Sequence, residues 1–143
     1  MKQLRLCSVG VFLMSSVASA AFAQAMNIDQ GRAEFMNNCS ACHGESGTGD
    51  GHFRIFLNRK PADLTVLARE NGGVFPAQRV FDSIDGRRTV AGHGQAGEMP
   101  VWGTSYVAQA RHDPTVPPGS GEAFARARIS LLIDYLNRIQ AKP

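Results

Sequence analysis

The chain has 143 residues, of which 43% are hydrophobic and 19% charged, a balance that suits one globular domain and excludes global disorder. Fifteen Lys and Arg against twelve Asp and Glu leave a formal charge of +3, with the arginines scattered and no recognition motif among them. Nucleic-acid binding is therefore not expected.

The N-terminus reads as an export leader rather than as fold. Lys2 and Arg5 make a positive start, residues 9–18 a short apolar run, and Ala21-Phe22-Ala23 a small-residue cleavage pattern. The run is shorter than the ~20 residues a spanning helix needs, so no stable membrane insertion is expected after cleavage. We expect a leader over residues 1–23, with Ala18-Ser19-Ala20 as a second possible cut, and one domain over residues 24–143 in the periplasm. Cys7 precedes the apolar run and leaves with the leader. Loss of Lys2 and Arg5 removes two cations and no acid, which lowers the formal charge from +3 to +1.

Residues 27–38 read as a first helix, with Asn27 as cap and Gln30 three residues on. Ile28, Gly31, Ala33 and Phe35 give it an apolar or small side. Residues 44–51 carry four glycines and read as a tight loop. Residues 64–70 suit a short helix stopped at Asn71-Gly72-Gly73, and residues 76–85 another, with Pro76 in its first turn and Gly86 at its end. Residues 91–97 are again glycine-rich, and the prolines between His112 and Gly121 mark an irregular connector. Over residues 122–140, Ala125, Ile129, Leu132, Ile133, Leu136 and Ile139 recur at helical spacing on one side. No strand-like alternation is visible, which predicts an all-α domain of about four or five helices.

Cys39-Ser40-Ala41-Cys42-His43 carries the chemistry. Two cysteines three residues apart on a helical turn can reach the two vinyl groups of one porphyrin edge, and the next histidine can supply an axial imidazole. A thioredoxin-like couple lacks its βαβ surroundings, a zinc site lacks a second cysteine pair, and a structural disulfide remains compatible with export. Agreement of motif, leader and helical pattern favours one covalently bound haem c, attached through Cys39 and Cys42, with His43 as iron ligand. Met99, in Gly97-Glu98-Met99-Pro100-Val101-Trp102-Gly103, is the expected partner ligand on the opposite face. A thioether favours reduced iron, and Pro100 restrains the residue before it. His93, between two glycines, is the rival ligand; His52 and His112 read as solvent-facing. Met36 reads as packing.

Together these landmarks resemble a class I c-type cytochrome, a small bacterial soluble monohaem cytochrome c, over essentially the whole mature domain. The resemblance implies a cytochrome c-like fold of four to five helices around the haem, with the N- and C-terminal helices packed together and Gly31 and Phe35 near Tyr135. It implies that the Pro61 carbonyl accepts the free ring N–H of His43, that Leu64 lies against the haem face, and that Cys42, Pro61, Leu64 and Met99 surround one apolar pocket. Trp102 either lines the haem crevice, its indole N–H toward a propionate, or packs in the core. The expected activity is one-electron transfer between a redox protein donor and acceptor, not catalysis on a substrate. Two other readings stay open: a haem subunit of a multi-protein periplasmic oxidoreductase, and a ligand-binding or peroxidase-like haem protein. Arg54, Arg59 and Lys60 could form a basic rim for an acidic partner.

Overall fold

The computed structural model describes residues 30–88 and 99–142. The expected leader, residues 27–29 of the expected first helix, the glycine-rich residues 91–97 and His93 lie outside the described residues. Among the described residues there are five α-helices and no strand: α1 over residues 30–38, α2 Ser40–His43, α3 Ala77–Asp85, α4 Trp102–Ala110 and α5 Gly121–Arg138. No helix among them is long and apolar enough to cross a membrane.

The apolar stripe of α5 organises the rest. Ala125, Ile129 and Leu132 are almost fully buried, with Tyr135 and Leu136 beside them, and α4 and α3 both pack on this helix. The first helix crosses α5 at Gly31, where a Cβ would stand 2.4 Å from the Leu131 carbonyl oxygen and 3.1 Å from Tyr135 Cβ. A residue without a side chain lets the two backbones meet there. One turn later the Phe35 ring lies 5.2 Å from that of Tyr135. The expected crossing of first and last helices is thus present.

Among the described residues, the buried side of α1 differs from the expected one at Ala33 and Glu34. Ala33 is exposed, whereas Glu34 is buried along with Gly31 and Phe35. Burial of Glu34 follows from its partners: Tyr106 Oη of α4 and Asn38 Nδ2 each donate at 2.6 Å, and Arg128 of α5 pairs with it at 2.5 Å.

Residues 64–70 do not form the expected helix. They make turns and end in a 3-10 helix, Arg69–Asn71, closed by Gly72 in the left-handed region. Tertiary bonds have taken the place of helical ones. Gln140 accepts the Ala68 N–H and donates to the Leu64 and Leu136 carbonyls, and the Ala141 N–H bonds the Thr65 carbonyl. The residues that follow α5 therefore hold this turn in place. α3 stops at Gly86 as its sequence predicts, but Pro76 caps its start instead of standing in its first turn. α4 was not anticipated; its surroundings explain it, because Tyr106 is wholly buried and Gly103 lets the helix approach the Asp85–Arg87 pair. Arg87 also bonds Glu122, tying the end of α3 to the first turn of α5.

Candidate haem site

An apolar cavity of about 260 Å³ opens between α1, α2, α3, α5 and the turn after residue 61. Phe35, Leu64, Leu67, Val80, Ile84, Leu132 and Leu136 supply most of its wall. Cys39, His43 and Met99 stand on the same wall, so one thiol of the pair, the histidine and the methionine converge on one space.

His43 is buried at the end of α2, and its Nδ1–H donates to the Ala62 carbonyl at 3.0 Å. That bond assigns the proton to Nδ1 and leaves the lone pair of the ring on Nε2, the form that ligates a metal. The expected acceptor was Pro61, and the structure moves the role one residue on. The Pro61 carbonyl faces Gly49, where a Cβ would meet its oxygen at 2.3 Å, and the Leu64 N–H bonds Gly47. Pro61 thus faces the glycine turn, and Ala62, the next residue, faces the histidine. Gly49, at φ +78°, supplies both the turn and the room.

Asp63 braces the same segment by accepting the Thr65 N–H at 2.9 Å and the Thr65 hydroxyl at 2.6 Å. The Thr65 hydroxyl is the main reason its carboxyl is held below the ordinary value of 3.8, with the Thr65 N–H, Arg69 and Lys60 adding to it. A depressed folded pKa means stability that is present above the unfolded value and lost as pH falls through the folded one. We therefore expect the advantage of the native protein over Asp63→Asn, read as melting temperature, to shrink as pH is lowered from about 6 to about 3. An advantage that stays constant across that range would mean that the carboxylate charge plays no part in holding the turn.

Of the remaining expected residues, Leu64 and Met99 line the cavity, while Cys42, Pro61 and Trp102 are absent from its wall. Cys42 is half-buried, and its carbonyl accepts the Gly51 N–H. Trp102 packs against the core, its ring 5.7 Å from that of Tyr106. Met36 also packs against the core. His52 and His112 are exposed.

The α3 wall escaped sequence reasoning. Val80 and Ile84 face the cavity, and so do Arg79 and Ser83. Each pair is four residues apart on a helix the sequence had located, a spacing that could have identified them. Cys39 is electrostatically distinct: burial pushes its thiol up to about 12, with Glu34 and Cys42 adding to the shift.

The donor set suits a covalently held haem. One cysteine of the attachment pair, an oriented imidazole and a thioether share an apolar site, the second cysteine stands three residues on beside it, and Arg79 and Ser83 are polar groups on its wall. Such a site inside an all-helical domain with crossed terminal helices defines a protein built to carry haem. The chain belongs to the cytochrome c family, whose family model matches residues 28–137. No curated protein and no solved structure matches the chain. Membership makes it a haem c electron-transfer domain with the cytochrome c fold.

Proposed function

We propose that the protein is an exported one-electron carrier, with haem tethered through Cys39 and Cys42 and iron held between His43 and Met99. The observation that carries this reading is the convergence of Cys39, His43 and Met99 on one apolar cavity, with His43 already oriented by Ala62. When bound, haem supplies a one-electron iron couple. The residues around it decide how that couple behaves. The Ala62 carbonyl fixes the His43 ring and raises its basicity. The Met99 sulfur favours the reduced state, and the aliphatic wall from Val80, Ile84, Leu132 and Leu136 keeps water away. Arg79 and Ser83 are the groups on the α3 wall suited to haem carboxylates. Export rests on the leader pattern of residues 1–23, and the periplasm is where its donor and acceptor would be met.

The test begins with intact mass, where export and attachment predict the chain cut near Gln24 plus one haem. Met99→Ala should then abolish the weak long-wavelength sulfur-to-iron absorption of the oxidised protein, lower its potential and open the iron to carbon monoxide. His93→Ala should leave all three nearly unchanged. If His93→Ala alone removes six-coordination, the ligand assignment is wrong. Rapid carbon monoxide binding by the unaltered reduced protein would instead favour the ligand-binding reading. Stable co-purification with a dehydrogenase would favour the oxidoreductase-subunit reading.

A further inference from the structure

The 3-10 helix His52–Phe56 presents Phe53, Ile55 and Phe56 to solvent at 49%, 73% and 73% exposure. Such an apolar cluster on a small exported protein is costly unless something covers it for part of the time. Its rings also touch one another: Phe53 meets Phe56 edge to face at 5.8 Å, and His52 meets Phe53 edge to face at 5.0 Å. Arg54, Arg59 and Lys60 are exposed around it, and residues 51–62 contain no carboxylate.

The cluster is fixed to the haem-bearing turn. α2 packs directly on it, and the Gly51 N–H that opens the 3-10 helix bonds the Cys42 carbonyl at 3.2 Å. A partner seated here would thus lie beside the residues that tether the haem. Electron tunnelling weakens steeply with distance, so this is a favourable place for a redox contact.

We propose that residues 52–60 form the docking surface for a redox protein whose matching face has an apolar socket ringed by carboxylates. The proposal rests on the electron-carrier reading and adds the surface and the chemistry of its partner. The two parts of the patch do different work. Cations steer encounter and lose their effect in salt, whereas desolvated rings hold the complex once formed. One turn of 3-10 helix is too short for the amphipathic helix that anchors proteins in a lipid interface, which favours a protein occupant.

The experiment follows oxidation and reduction of the haem-loaded protein by washed membranes and by soluble extract of the source organism. Phe53→Ser/Phe56→Ser should raise KM by about tenfold at every salt concentration while leaving kcat unchanged. Arg54→Gln/Arg59→Gln/Lys60→Gln should raise KM at low salt only, with the difference vanishing as ionic strength rises. Melting temperature, potential and electron exchange with ferricyanide should be unaltered in the phenylalanine variant. Ile55→Ser alone serves if the double variant does not fold. Unchanged KM in every fraction that exchanges electrons would overturn the docking surface and leave the carrier reading standing. Failure of all fractions to exchange electrons would overturn both. Sedimentation with protein-free phosphatidylglycerol vesicles, lost in the phenylalanine variant, would assign the patch to lipid and also overturn the proposal.

Discussion

Glu34→Ala is expected to cost about 2 kcal/mol of folding stability, because it leaves the buried Tyr106 hydroxyl without its acceptor and the partly exposed Arg128 without its carboxylate. Glu34 is 4% exposed and joins three helices: Asn38 lies on its own, Tyr106 on α4 and Arg128 on α5. Without it the hydroxyl of the wholly buried Tyr106 loses its acceptor. Arg128 loses less, since its side chain is 37% exposed, although its Nε is buried with no hydrogen-bond partner. The guanidinium also lies over the Tyr106 and Phe124 rings. Glu34→Gln separates the terms, since an amide can still accept from Tyr106 but cannot neutralise Arg128. Guanidinium denaturation of the haem-loaded protein should rank the native chain above Glu34→Gln and that above Glu34→Ala. Equal midpoints for all three would show that the cluster holds nothing together. The same cluster favours a protonated Tyr106, whose phenol is pushed well above its ordinary range by burial first and by Glu34 second.

Gly31→Ala should be destabilising although alanine is the better helix former. Propensity favours the change by about 1 kcal/mol. Against it stands a Cβ placed 2.4 Å from the Leu131 carbonyl oxygen, which belongs to the backbone of α5 and cannot rotate away. The helices must separate, and the Phe35–Tyr135 contact one turn along separates with them. Overpacking of this kind makes the expected net loss about 2 kcal/mol, read as a lower denaturation midpoint with a weakened aromatic circular-dichroism signal. A midpoint equal to or above that of the native chain would mean that α1 and α5 do not meet at this residue in solution.

These two positions also show how differently residues declare themselves. Gly31 and Phe35 were legible as an apolar or small side of one helix, and their meeting with Tyr135 as what the resemblance to class I c-type cytochromes implies. Glu34 was not legible. Its neighbours in sequence make it look like one more charged residue on a solvated face, and its burial depends on an arginine 94 positions away and a tyrosine 72 positions away.

The sequence by itself determined the attachment motif, the helical class, the last helix and the stops at Gly72 and Gly86, because each depends on groups within a turn or two of one another. Thioether spacing, caps and apolar periodicity are local chemistry. Only the tertiary structure decided that Ala62 rather than Pro61 orients His43, that Trp102 packs on Tyr106, that residues 64–70 fold as turns and that Arg79 and Ser83 stand on the cavity wall. Each of those depends on the approach of segments far apart in the chain. Gly49 turns the Pro61 carbonyl toward itself, and Gln140 satisfies backbone groups at Leu64 and Ala68 that would otherwise need a helix. A hydrogen bond made across the fold removes the reason for making the local one, and no window of sequence around residue 64 contains Gln140.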